Sequence, residues 1–75
     1  MKKEIRLQKF DNTFEDYLDK ERSCFVVYAG CKGADFNIDA RTTIIDYNNI
    51  PWDCYLLSVE YIPSHDMYEI LYKIY

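Results

Sequence analysis

Seventy-five residues make one domain, and a domain of that size buries only roughly 60–65 % of its unfolded surface, so its margin of stability is thin and self-association is one remedy. The formal net charge of −4 is unevenly spread: Lys2, Lys3, Arg6 and Lys9 make the first ten residues basic, and Asp11, Glu15, Asp16, Asp19 and Glu21 make the next segment acidic. That balance argues against phosphate or nucleic-acid binding as a main role, while the acidic run is too sparse to imitate DNA and reads as a solvated helix face.

Glu4 to Phe10 is the first expected strand, with Ile5 and Leu7 on one face and Glu4, Arg6 and Gln8 on the other; a helix start is the alternative. Asn12 followed by Glu15 fits a capping box, Phe14, Tyr17 and Leu18 repeat at helical spacing, and Asp16 and Lys20 are a favourable pair four apart. These signals predict a helix from about Thr13 to Arg22. Cys24 to Ala29 is β-branched, aromatic and apolar on both faces, which predicts the central strand.

Gly30-Cys31-Lys32-Gly33 supplies a turn. Asp35 to Asp39 then alternates strictly, as an edge strand with Phe36 and Ile38 inward. Thr42 to Asn49 reads two ways. Thr43 and Asp46 fit the cap of a short helix holding Ile44, Ile45 and Tyr47, whereas the β-branched density suits a strand equally; the helix is preferred. Asn48, Asn49 and Pro51 end the segment, and Trp52 is expected to plug the core edge.

Cys54 to Tyr75 reads as one long β-hairpin around the turn Pro63-Ser64-His65-Asp66. Period-two alternation puts Tyr55, Leu57, Val59, Tyr61, Tyr68, Ile70, Tyr72 and Ile74 on the core face, provided that paired residue numbers add to an odd number. Tyr61 opposite Tyr68 and Val59 opposite Ile70 satisfy this but set Glu60 against Glu69, a mildly unfavourable like-charge pair; sliding by two residues removes the clash and keeps the faces, so the register stays open. The second face carries Leu56, Ile62, Met67, Leu71 and Tyr75. A hairpin apolar on both faces is surplus to what so short a chain can cover, and suggests a partner.

The expected order is β-α-β-β-α-β-β: a single α+β domain over residues 1–75, a mostly antiparallel sheet of about five strands with one main helix and a short second one on one face. Its first six elements match a ferredoxin-like arrangement, which hosts many unrelated functions. Lys32-Gly33-Ala34-Asp35-Phe36 superficially resembles the third-strand signature of RNA-recognition modules. Parity opposes it, because exposing Phe36 for base stacking would bury Asp35, Asn37 and Asp39 unpaired.

Asp35, Asn37, Asp39 and Asp46 have the oxygen spacing of a calcium loop. Ala40 stands where such a loop needs Gly, Asp46 is shorter than the usual bidentate Glu, and no helix precedes Asp35. An exposed edge-strand face is the simpler reading. Cys24, Cys31 and Cys54 lack the paired spacing of a zinc site; Cys31 beside Lys32 is the thiol most open to reaction. With His65 alone in a turn and no nucleophile–base pairing, the chain is not expected to be an enzyme, nor to need a metal or cofactor.

Neither secretion nor membrane spanning is expected, and three irregularly spaced cysteines suit a reducing, cytoplasmic setting. Eight tyrosines are hard to place wholly inside a small core and are comfortable at interfaces. The functional expectation is a noncatalytic, protein-binding domain that self-associates or docks on a protein partner through Leu56, Ile62, Met67, Leu71 and Tyr75, without membrane or nucleic acid. Its size and independence suit an accessory regulator or inhibitor, for example one carried by a phage or mobile element. The rival is a small metal-, ligand- or thiol-dependent protein using Asp35, Asn37, Asp39, Asp46 or Cys31.

Overall fold

The computed structural model describes residues 3–9, 15–30 and 38–75. Among the described residues six strands form one mixed sheet: β1 (Lys3–Arg6), β2 (Tyr17–Asp19), β3 (Cys24–Gly30), β4 (Arg41–Ile45), β5 (Pro51–Ile62) and β6 (Met67–Ile74), in the spatial order β1-β4-β5-β6-β3-β2. Only β1 and β4 run parallel; every other neighbouring pair is antiparallel. No helix occurs among the described residues, so the expected α+β class and its β-α-β-β-α-β-β order are replaced by a curled, all-strand sheet.

The expected helix from Thr13 to Arg22 is overturned over its described part. Tyr17, Leu18 and Asp19 pair with Val26, Phe25 and Cys24, and Leu18 packs on the core while Tyr17 stays exposed. A lone ten-residue helix is marginal in water, so a strand that gains a ladder and an inward Leu wins over a capping pattern. Asp19 then closes a tight turn by accepting from the Arg22 backbone N–H at 3.4 Å and its Nε at 2.7 Å, with Ser23 in the left-handed region at φ 53°.

The short helix expected at Thr42 to Asn49 is likewise a strand and a turn. Thr42 and Ile44 point inward at 3 % and 0 % exposure, as β-branched residues do on a pleated surface. Asp46 caps nothing behind it; its carboxylate reaches forward to the backbone N–H groups of Asn48 (2.8 Å) and Ile50 (3.0 Å) and to Trp52 Nε1 (2.9 Å). That turn, with Asn49 at φ 63°, delivers Trp52 edge-on to Phe25, ring centroids 5.8 Å apart.

Ile38, expected inward on an edge strand, lies in a turn and is exposed; Asp35, Phe36 and Asn37 fall outside the described residues. Cys24 to Gly30 is interior but not central, because the hairpin occupies the middle of the sheet.

Of the two registers that parity allows, the hairpin adopts the one with Glu60 against Glu69, running from Ile62 opposite Met67 through Tyr61–Tyr68, Glu60–Glu69 and Val59–Ile70 to Ser58–Leu71. There the ladder shifts: Leu56, not Leu57, stands opposite Tyr72, followed by Tyr55–Lys73 and Cys54–Ile74. Leu57 is a β-bulge, and one extra residue reverses the parity of everything before it. Leu56 and Cys54 therefore enter the core at 3 % and 1 % exposure, whereas Leu57, assigned to the core by simple alternation, is 41 % exposed. The core consists of Leu7, Phe25, Val27, Ile44, Cys54, Leu56, Ile70 and Tyr72, with Ile5, Leu18, Trp52, Val59 and Ile74 packed at its margin.

A buried carboxylate closes the curl. Beyond β1 the chain continues to pair with β4 (Leu7 N–H to Ile45 O, 3.0 Å), and then meets the lead-in to β2 through an antiparallel bridge between Lys9 and Glu15. Asp16 donates its N–H to Gln8 O (3.1 Å), and its own side chain accepts from Gln8 N–H (2.9 Å) and from Tyr28 N–H on β3 (3.0 Å). Two backbone donors that the diverging edge strands leave over are thus satisfied by one side chain. The Tyr47 hydroxyl is shared between the carbonyls of Asp16 (2.7 Å) and Gln8 (3.1 Å) and secures the same junction.

Candidate docking face

Residues directly opposite across a ladder share a face, so the register maps the outer surface of the hairpin row by row. Ile62, Met67 and Gly30 form one row; Glu60, Glu69 and Tyr28 the next; then Ser58, Leu71, Val26 and Tyr17, with Leu57 bulged beside them; then Arg41, Tyr55, Lys73 and Cys24. Tyr75 follows, its N–H bonded to Asp53 O at 3.0 Å. No other layer of described strands lies over this face, since all six belong to the one sheet, but Val26 and Cys24 of β3 are buried on it at 0 % and 2 % exposure, so its open part is the β5–β6 hairpin with Tyr17 and Tyr75.

Of the residues named from sequence, Ile62, Met67 and Leu71 stand together on this face, half-buried, and Tyr75 is its most exposed aromatic at 62 %. Leu56 is not on it; the bulge sends that side chain into the core. In its place the face gains Leu57 and, from β2, Tyr17 at 42 % exposure. A sequence signal for the exchange existed in the Leu56-Leu57 doublet, which interrupts alternation directly before Ser58.

The polar groups of the face are held in place. Tyr28 Oη donates to Glu69 at 3.0 Å, and burial, reinforced by that carboxylate, pushes the phenol up to about 12. Lys73 Nζ donates to the Arg22 carbonyl. The Arg41 guanidinium sits 4.8 Å from the centre of the Tyr75 ring, which in turn tilts against Tyr55 at 5.1 Å. Tyr75 is therefore a fixed aromatic platform.

Among the described residues the other candidates named from sequence do not assemble into a site. Asp46 has both oxygens committed to its turn, which holds its carboxyl below the usual range, chiefly through Trp52. Asp39 sits in a turn at φ 69° with its N–H bonded to Leu56 O, and Asp35, Asn37 and Cys31 lie outside the described residues. Among the described residues no group of His, Cys, Asp and Glu is arranged to hold a metal ion. Cys24 and Cys54 are free and buried, and burial pushes the Cys54 thiol up to about 11, far from a reactive thiolate.

An open groove of about 340 Å³ is lined by Leu18, Lys20, Ser23, Trp52, Ile74 and Tyr75. It is at the small end of ligand-pocket sizes of roughly 300–1,000 Å³, and it has no convergent set of polar groups. Comparison with protein-family models, curated proteins and solved structures finds no match. No described helix is long and apolar enough to cross a membrane.

Proposed function

We propose that this chain is a noncatalytic protein-interaction domain that docks through the outer face of the β5–β6 hairpin. The observation that carries the reading is the division of the central strands: their inner side chains fill the core, while Leu57, Tyr75 and the half-buried Met67 and Leu71 occupy the face turned away from it. Exposed Leu and Tyr on a preformed sheet bring contact area at little entropic cost, which is what binding surfaces use. A reducing, cytoplasmic setting suits the free thiols Cys24 and Cys54.

A photo-crosslinking amino acid placed at Leu57, with Lys20 in the β2–β3 turn as the control position, tests this in cells expressing the chain. The expected result is a discrete protein adduct from position 57 and none from position 20. Absence of any adduct at 57, or equal adducts at both, contradicts the reading.

A further inference from the structure

The geometry points to a second copy of this chain as the occupant of the outer face, the two copies related by a two-fold axis that passes along the Leu71 row. The inference rests on the docking reading above and names its partner.

The outer side chains of β6 run Met67, Glu69, Leu71, Lys73, with Tyr75 next. An isologous contact requires a surface complementary to itself under reversal. Turned end for end about Leu71, this row sets Leu71 on Leu71, Glu69 of one copy on Lys73 of the other, and Tyr75 on Met67. Each position meets its chemical complement: apolar on apolar, anion on cation twice over, and thioether on aromatic ring. Neighbouring strands repeat the pattern. On one side of the Leu71 row lies the acidic pair Glu60–Glu69, and at equal distance on the other lie Arg41 and Lys73 flanking Tyr55. Within one copy, Glu60 opposite Glu69 is an unfavourable pair. Against a reversed second copy the same two carboxylates face the basic row.

The alternative reversal, copies side by side with parallel rows, sets Glu69 on Glu69 and Lys73 on Lys73 and is repelled by both contacts. Charge therefore selects one orientation. Lys73 keeps two N–H donors after its bond to the Arg22 carbonyl, and Glu69 keeps one oxygen after accepting from Tyr28.

The test is a charge exchange on the full chain, read by sedimentation equilibrium at low ionic strength. Wild type is expected to associate to two chains, and Glu69→Lys or Lys73→Glu alone to weaken that association by at least about tenfold, because each variant opposes like charges. An equimolar mixture of the two variants restores both pairs and is expected to associate within about threefold of wild type. A mixture that stays monomeric, or a single variant that dimerises as well as wild type, overturns the inference. Should Lys73→Glu unfold through loss of its Arg22 contact, the doubly neutral Glu69→Gln/Lys73→Gln chain serves: its association is expected to be weaker and salt-independent, and an unchanged salt dependence overturns the inference. A crosslink from position 57 to a different protein, with a monomeric wild type, refutes the second copy and leaves the docking face standing.

Discussion

Leu56 and Tyr72 face each other across the central hairpin, both sealed from solvent, because Leu57 bulges out of the ladder between them and Ser58. The same bulge that completes the core exposes the outer face at its centre. Bulges also bend and twist the strand that carries them, which suits a sheet that curls until its edges meet.

The bulge sets apart two adjacent leucines. Leu56→Ala is expected to cost about 2–5 kcal/mol, the range for emptying a packed core site, and Leu57→Ala to stay within about 0.5–1 kcal/mol. Urea denaturation of the two variants measures both. Deleting Leu57 leaves Leu56 on Tyr72 and Ser58 on Leu71 as a regular ladder, so that chain is expected to keep a cooperative transition. Deleting Ile70 from the unbulged β6 reverses parity on one side and is expected to abolish it.

Asp16 joins both edges of the sheet. In Asp16→Asn the amide keeps one acceptor but turns an N–H group toward either Gln8 or Tyr28, leaving a donor facing a donor. The expected loss is about 1–3 kcal/mol, and Asp16→Ala, which orphans both backbone groups, is expected to lose more. Amide hydrogen exchange provides the check, with protection falling at Gln8 and Tyr28 ahead of the hairpin.

Acid acts on two aspartates in opposite senses. Burial raises Asp16, with the N–H groups of Tyr28 and Gln8 partly opposing, so its ionisation weighs against the fold and its contribution is lost as pH rises through the raised value. Asp46 is lowered, first by Trp52 and then by Ile50, so its contribution is present above the ordinary 3.8 and lost as pH falls through the lowered value. Trp52 is the only tryptophan and reports directly on Asp46. Its emission is expected to change below pH 3.8 in wild type but not in Asp46→Asn, where the indole N–H has already lost its charged acceptor.

At the alkaline end burial holds Tyr72 at about 12, and burial with the Glu69 contact holds Tyr28 there too. Both values are raised above the ordinary 10, so the stability these phenols confer is intact below that pH and is lost as pH climbs toward 12. A tyrosinate absorbance titration is expected to show these two ionising only with unfolding. Normal titration of all tyrosines in a folded chain contradicts the placement of Tyr72.

Much of the hairpin was legible because periodicity and parity are local properties. Alternation places Ile5 and Leu7 inward and Ile62, Met67, Leu71 and Tyr75 on the outer face, while parity alone leaves the Tyr61–Tyr68 register as one of two. Leu56 goes to the wrong face when strict alternation is carried through the Leu56-Leu57 doublet, where one residue is inserted into the ladder. The segment from Glu15 to Arg22 was misread because the partner of Asp16 is the backbone of Gln8 and Tyr28, which no spacing rule connects to it. Thr42 to Ile45 carried strand chemistry in its β-branched side chains, and Asp46 imitated a cap because a side chain that bonds backbone N–H groups two and four residues ahead has the same composition in either setting.

Sedimentation equilibrium of the wild-type chain beside Leu57→Lys, over a wide range of concentration, addresses the docking of a second copy most directly. Leu57 is 41 % exposed and outside the ladder, so the substitution is expected to leave the unfolding midpoint unchanged. The expected wild-type mass rises from one chain to two, and the expected Leu57→Lys mass is that of one chain throughout. A wild-type mass of one chain at every concentration, or a variant that reaches two chains as readily as wild type, contradicts the docking of a second copy.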